Sequence, residues 1–305
     1  MEEQNYKEGL FVIKIFGIIQ FVVACLGILG NSAAVVYFGR KKYRKGTFFI
    51  LLRFLAVMDN FFLVIFILLN GVIERISRDF QSITMPLINT YYSTVLMSLE
   101  DIAITGTVYL TLAICIERYL VICHPFLRVS VKISWKHYVL PTLCLMIILN
   151  PIFGSYYFLM RYYNYQENSS YMLFVLHLRE ITLIYIPFLV LIVLNFFIVK
   201  ELIKSRNMFN GKSAKQKNIE TISETTQMTN QSSVIIRRRE NNVALAKLSL
   251  VIDVLFIISH GLNYHLIAYV GLKADLVVEI LSIGVIFNSS ANFYIYVLKR
   301  SLNRN

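Results

Sequence analysis

The chain has 305 residues, of which 57% are hydrophobic and only 16% are charged. Soluble domains are roughly 45–50% apolar and about 25% charged, so the composition excludes an ordinary soluble protein and favours one that crosses a membrane repeatedly. The formal net charge of +12 does not indicate nucleic-acid binding, because the basic residues alternate with apolar segments instead of forming one patch.

Seven stretches are long and apolar enough to cross a bilayer, since a helical span needs roughly 20 residues. In chain order, the first to the seventh span are Phe11–Phe38, Phe48–Asn70, Tyr91–Cys123, Tyr138–Met160, Glu180–Ile203, Val243–Val270 and Leu276–Leu298. They predict an all-α membrane protein, a seven-transmembrane helix bundle that forms one domain over residues 1–305. A protein of this kind has the surrounding membrane lipids among its partners.

The basic residues predict the orientation of the bundle. They concentrate in the loops after the first, third and fifth spans and in the C-terminal tail, whereas the other loops are near neutral. The positive-inside rule therefore places the N-terminus outside and the C-terminus inside. We expect residues 1–10 to be an extracellular tail, residues 204–242 a polar, disordered third cytoplasmic loop, and residues 299–305 a short cytoplasmic tail. The basic ends of that loop could extend the fifth and sixth helices.

Polar residues inside a span need partners and mark candidate functional sites. Glu117, Arg118 and Tyr119 stand at the inner end of the third span. Neighbouring residues lie about 100° apart on a helix, so Arg118 can pair with Glu117 and still face the centre of the bundle. Glu100 falls close to the same stripe as Arg118, about 27 Å away along the helix, and should face inward as well.

Asp59 is an acid in the middle of the second span, where an isolated charge would be too costly to keep. Residues with side-chain oxygens that could surround it are Asn31, Thr107, Asn288, Ser289 and Asn292. Oxygen ligands suit a hard cation, so Asp59, Thr107, Asn288, Ser289 and Asn292 are a candidate sodium site. A polar clamp between helices, without an ion, explains the same residues equally well. No other cofactor is indicated.

The four cysteines are Cys25, Cys115, Cys123 and Cys144. They lie within spans or at their inner edges, so the sequence predicts no extracellular disulfide. Asn168-Ser169-Ser170 is a glycosylation sequon on the predicted outer face, which makes Asn168 a candidate modification site. The sequence contains no paired nucleophile and base, no metal-ligand cluster and no phosphate-binding loop, so we do not predict an enzyme.

Five different short motifs follow one another along the chain. They are Gly30-Asn31, Leu55-Ala56-Val57-Met58-Asp59, Glu117-Arg118-Tyr119, Pro187 and Asn292-Phe293-Tyr294-Ile295-Tyr296. Their order and spacing resemble the rhodopsin-like G-protein-coupled receptors over nearly the whole chain. The resemblance implies a plasma-membrane receptor that signals through a heterotrimeric G protein. It also implies an activation switch built from Glu117, Arg118, Tyr119, Asn292 and Tyr296.

Three longer stretches resemble the invertebrate FMRFamide-type neuropeptide receptors more closely. They run from Gly106 to Pro125, from Pro187 to Asn195 and from Asn288 to Tyr296. This resemblance implies an amidated peptide as the extracellular ligand. The same stretches are similar to nematode chemoreceptor-like proteins, which leaves a chemosensory receptor for small molecules as an alternative. A channel or transporter that uses Asp59 in an ion pathway is the alternative from another class.

The chain departs from the rhodopsin-like pattern at three places. Ser93 stands about where most of these receptors have a disulfide-forming cysteine, and Phe293 replaces a proline. Ser259-His260-Gly261-Leu262 replaces the Cys-Trp-x-Pro of the sixth helix. The resemblance therefore does not tell whether the chain activates in the usual way.

Polar residues at the outer ends of three spans form a candidate ligand pocket. They are Glu100 and Asp101 on the third span, His260, Asn263 and Tyr264 on the sixth, and Glu279 on the seventh. Glu100 and Glu279 could accept paired hydrogen bonds from a ligand arginine. Alternatively, Asp101 and Glu279 are interface residues that face lipid headgroups or Arg179.

Overall fold

A computed structural model describes residues 2–41, 43, 46–69, 85–130, 133–162, 170–216, 250–251, 253–255 and 283–290. Within these ranges the regular structure is helical, and no strand occurs among them. The helices are α1 (Glu2–Gly39), α2 (Thr47–Ile67), α3 (Met85–Cys123), α4 (Pro125–Ser130), α5 (Lys136–Tyr162), α6 (Ser170–Glu180), a π-helical segment (Ile181–Tyr185) and α7 (Ile186–Gln216). Residues 250–251, 253–255 and 283–290 are also helical.

Five helices of the described part are long and apolar enough to cross a membrane. They are Ile15–Gly39, Thr47–Ile67, Thr94–Cys123, Lys136–Ser155 and Leu173–Lys204. They correspond to the first five predicted spans and confirm the all-α membrane fold. Of the sixth and seventh spans, only residues 250–251, 253–255 and 283–290 are within the described ranges. The orientation of the termini remains a prediction.

Two helices extend beyond the predicted spans. α1 already begins at Glu2, so most of the expected extracellular tail is helical. α7 continues to Gln216, so the first part of the expected disordered loop extends the fifth helix. Residues 217–249 and the C-terminal tail lie outside the described residues.

Pro187 explains why the fifth span is not one uniform α-helix. Proline has no N–H, and its ring clashes with the carbonyl four residues earlier. The π-helical segment Ile181–Tyr185 ends just before Pro187, and the Ile186 amide bonds to the Ile181 carbonyl, five residues back. A π-turn holds one residue more than an α-turn. It therefore changes the direction in which the preceding turns, including Arg179, present their side chains.

α3 is the most buried of the five membrane-spanning helices. It packs against α2, α5 and α7. On one side, Leu110 and Ile114 join an apolar cluster with Phe48 and Leu55 of α2. On another side, Val108 and Cys115 pack with Leu191 and Ile198 of α7. Most polar groups of α3 are consequently enclosed by other helices.

α1 and the helical segment 283–290 approach closely at Gly27. A Cβ atom on Gly27 would lie 2.1 Å from the Ser290 Oγ, so no larger residue fits without movement. The Ser290 hydroxyl has one hydrogen, which it shares between the Ile286 carbonyl at 2.8 Å and the Val23 carbonyl at 3.2 Å. This contact places part of the predicted seventh span directly beside the first.

Candidate functional site

Glu117 and Arg118, near the end of α3, are buried and form an ion pair with each other. Arg118 Nε donates a hydrogen bond of 2.6 Å to Glu117 Oε2, and Arg118 Nη2 contacts the same oxygen. The guanidinium carbon lies 3.8 Å from the centroid of the Phe48 ring, at the start of α2. A carboxylate and an aromatic face both stabilise a guanidinium that is withdrawn from water. The predicted pairing of Arg118 with Glu117 is confirmed.

Tyr119, the third residue of the triplet, points elsewhere. Its hydroxyl lies 3.0 Å from His124 Nε2, just beyond the end of α3. Its ring centroid is 6.2 Å from that of Phe197 on α7. Tyr119 therefore links the end of α3 to α7. Asn292 and Tyr296, the other proposed switch residues, lie outside the described residues.

Asp59 is fully buried between α2 and α3. Thr107 Oγ1 donates a hydrogen bond of 3.2 Å to Asp59 Oδ1. Thr107 is itself buried, so this contact takes place away from water. The structure thus joins two residues that the sequence placed in one candidate site.

Asn31 makes a second polar link, between α1 and the seventh span. Its Nδ2 donates a hydrogen bond of 2.9 Å to the backbone carbonyl of Ser289. The buried Asn31 Oδ1 and Asn288 Oδ1 make no hydrogen bond with the described residues. Two amide oxygens therefore remain available to a water or a cation. Asn292, the last member of the proposed sodium site, lies outside the described ranges.

Farther toward the N-terminus of α3, Asp101 pairs with Arg179 of α6. Arg179 Nη2 donates a hydrogen bond of 2.6 Å to Asp101 Oδ1. Below this pair, Thr105 Oγ1 bonds to the Asp101 carbonyl at 2.7 Å and lies 3.4 Å from Asn150 Oδ1 on α5. Three helices are therefore joined by polar contacts at this level.

The two acids of this region differ in burial. Asp101 is enclosed, whereas part of the Glu100 side chain is exposed. Asp101 is the acid that Arg179 meets, which agrees with the alternative in which Asp101 is an interface residue. Glu100 lies within electrostatic range of both. His260, Asn263, Tyr264, Glu279 and Asn168 lie outside the described residues.

A further polar group inside the bundle was missed by the sequence analysis. Cys115 Sγ donates a hydrogen bond of 3.6 Å to Asn195 Oδ1 on α7. Asp253 of the sixth span is buried and lies close to both side chains. The signal was present in the sequence: Asp253 interrupts an apolar run, as Asp59 does, and the same reasoning would have marked it.

We expect Arg179→Ala to destabilise the protein strongly, because it leaves the buried Asp101 carboxylate without its cation. Breaking a fully buried ion pair costs about 3–5 kcal/mol. The loss of unfolding free energy should be smaller here, because 22% of the Arg179 side chain is exposed. Thermal unfolding of the purified protein in detergent measures it.

Glu180→Ala is the matched control for this prediction. Glu180 lies next to Arg179 but pairs with His177 at the surface, where an ion pair contributes at most about 1 kcal/mol. The double variant Asp101→Leu/Arg179→Leu should recover part of the lost stability, since it removes both charges. Equal unfolding temperatures for Arg179→Ala and Glu180→Ala would contradict the role of the pair.

No protein-family model and no curated protein matches this chain. Among solved structures, it is similar to the crystal structure of squid rhodopsin, with a TM-score of 0.63 and 16% sequence identity. The match covers 93% of this chain and 81% of the rhodopsin chain. An identity this low supports the fold and nothing finer. The chain therefore has the helical-bundle fold of a rhodopsin.

Proposed function

We propose that the chain is a plasma-membrane receptor that binds an extracellular ligand and activates a heterotrimeric G protein. The observation that carries the proposal is the buried Glu117–Arg118 pair near the end of α3, in a bundle with the fold of rhodopsin. Burying two charges costs more than burying apolar side chains of similar size. A pair retained at this cost, at the end predicted to be cytoplasmic, suits a switch better than a stabilising contact.

In this proposal, ligand binding shifts the bundle toward a second arrangement in which the inner end of the sixth span moves outward. The ligand achieves this only by binding that arrangement more tightly. Arg118 then leaves Glu117 and Phe48 and faces the G protein, together with the basic ends of the cytoplasmic loops. Tyr119, Asn292 and Tyr296 complete the switch.

We propose an amidated, FMRFamide-like peptide with a basic residue as the ligand. Of the two acids Glu100 and Asp101, Asp101 already accepts a short hydrogen bond from Arg179. Glu100 is therefore better placed to bind a ligand cation. Part of the Glu100 side chain is exposed, which is compatible with contact by a ligand. His260, Asn263, Tyr264 and Glu279 are the contacts that we propose from the sixth and seventh spans. A small-molecule ligand remains the second candidate from the resemblance.

The same arrangement supports an allosteric sodium ion at Asp59. Sodium is a hard cation and prefers oxygen ligands, and Asp59 offers a buried carboxylate beside the Thr107 hydroxyl. The buried Asn288 amide oxygen has no hydrogen-bond partner among the described residues, which fits an additional ligand. We propose Ser289 and Asn292 as the remaining members of the site.

Glu100→Gln should weaken the binding of an arginine-containing amidated peptide, because a charge-assisted hydrogen bond is lost. Such a bond contributes roughly 1.5–3 kcal/mol, equivalent to about a ten- to hundredfold change in affinity. A library of amidated peptides, screened on cells that express the chain, supplies the ligand, and competition binding measures its affinity.

Glu180→Gln serves as the control for Glu100→Gln, since it removes an acid from the exposed side of the same end of the bundle. The control should bind like the wild type. If both variants keep wild-type affinity for every basic peptide that binds, Glu100 is not a ligand contact. If only uncharged small molecules bind, the peptide assignment is wrong and the receptor assignment stands.

Asp59→Asn should abolish any effect of sodium on agonist affinity, because the amide cannot supply the negative charge. Agonist affinity is measured in sodium chloride and in potassium chloride at equal ionic strength. Asn60→Ala is the control, since Asn60 bonds instead to Ser32 Oγ at 3.1 Å. A sodium effect that survives in Asp59→Asn would contradict the site. Its absence in the wild type would favour the polar clamp without an ion.

A further inference from the structure

Asp253 is an acid enclosed by three helices in the interior of the bundle. Only 1% of its surface is exposed, although it belongs to the apolar sixth span. Neither of its two carboxylate oxygens has a hydrogen-bond partner among the described residues. Polar groups in such surroundings are costly and usually have a function. Asp253 takes no part in the proposed ligand site, the sodium site or the Glu117–Arg118 pair.

The polar neighbours of Asp253 form a series of hydrogen-bond donors and acceptors. The Cys115 thiol donates to Asn195 Oδ1 at 3.6 Å, which leaves the Nδ2 hydrogens of Asn195 for another acceptor. The Asp253 carboxylate is the acceptor close to both residues. Around this polar group the packing is apolar, with Val108, Leu191 and Ile198 in the same cluster as Cys115. Water therefore competes little with the contacts among the three side chains.

The position of this group along α3 connects it with the charged pair. Cys115 is three residues before Arg118, which corresponds to about 4.5 Å along the helix axis. α7 contributes Asn195, and the sixth span contributes Asp253. Any movement of the sixth span away from α3 at this level must carry the Asp253 carboxylate away from Cys115 and Asn195.

We propose that Cys115, Asn195 and Asp253 form a polar clamp that holds the sixth span against α3 and α7. The clamp keeps the half of the bundle next to Arg118 closed until the sixth span moves. Polar contacts between membrane helices are of a size that changes such an equilibrium about three- to thirtyfold. The clamp depends on neither the identity of the ligand nor the sodium site.

Cys115 provides a natural reporter of the clamp, because its thiol is fully buried when the clamp is closed. In a background with Cys25→Ala, Cys123→Ala and Cys144→Ala, it is the single thiol left. The rate at which N-ethylmaleimide modifies the purified protein, followed by mass spectrometry, then reports opening at this level. The assay needs no agonist and no G protein.

Asn195→Leu and Asp253→Leu should each accelerate the modification of Cys115 about three- to thirtyfold. Leucine has the same branching and number of heavy atoms as either residue, so it removes the polar contact without opening a hole. Asp253→Asn should remain slow, because its amide oxygen can take the place of the carboxylate as an acceptor beside Asn195. Val254→Leu, on the exposed side of the same turn, should also remain slow.

Two results would overturn the clamp. An unchanged rate in Asn195→Leu would show that the contact does not hold the helices together. An Asp253→Asn rate as fast as that of Asp253→Leu would show that the carboxylate acts only on the reactivity of the thiol. If Asp253→Leu fails to fold, Asn195→Leu decides, since it leaves the carboxylate in place.

Discussion

The need to satisfy polar groups in apolar surroundings determines how this bundle is assembled. Lipid and apolar side chains offer no hydrogen bonds, so a buried charge or hydroxyl must find its partner inside the protein. The two acids Asp59 and Asp101 meet this requirement through contacts between different helices, and Glu117 meets it through its neighbour Arg118. Each of these contacts fixes which face of a helix turns inward.

α3 contributes to every one of these contacts. Asp101, Thr107, Cys115 and Arg118 follow one another along it, and each is buried. From Asp101 to Arg118 the helix rises about 26 Å, close to the thickness of the hydrocarbon core of a bilayer. The helix thus carries polar contacts from the level of the proposed ligand pocket to the level of the proposed switch. In the proposed mechanism, movements of the neighbouring helices exchange these contacts along α3.

The sequence predicted the first five spans, because length and apolar composition are sufficient to recognise a membrane helix. It did not predict that α1 begins at Glu2, whereas it allowed an extension of the fifth helix into the loop that follows. It identified Pro187 but not the π-helical segment before it, which depends on how the fifth span accommodates the proline ring.

Individual site residues were harder to place from the sequence than the spans. The Glu117–Arg118 pairing was predictable because the two residues are neighbours. The pairing of Asp101 with Arg179 was one of two alternatives that the sequence left open, since the choice depends on how the outer part of the fifth span is rotated. Asp253 could have been recognised from the apolar residues around it. Its partners Cys115 and Asn195 are apparent only when three helices are packed together.

The central claim is that the buried Glu117–Arg118 pair restrains a receptor that activates G proteins. Basal nucleotide exchange tests it most directly, measured with purified protein in lipid nanodiscs and a panel of heterotrimeric G proteins. Glu117→Gln removes the charge that holds Arg118, and the account predicts a basal exchange rate several times that of the wild type with at least one G protein. If Glu117→Gln folds normally and its basal rate equals that of the wild type with every G protein, while a ligand still stimulates exchange through the wild type, the pair is not the restraint.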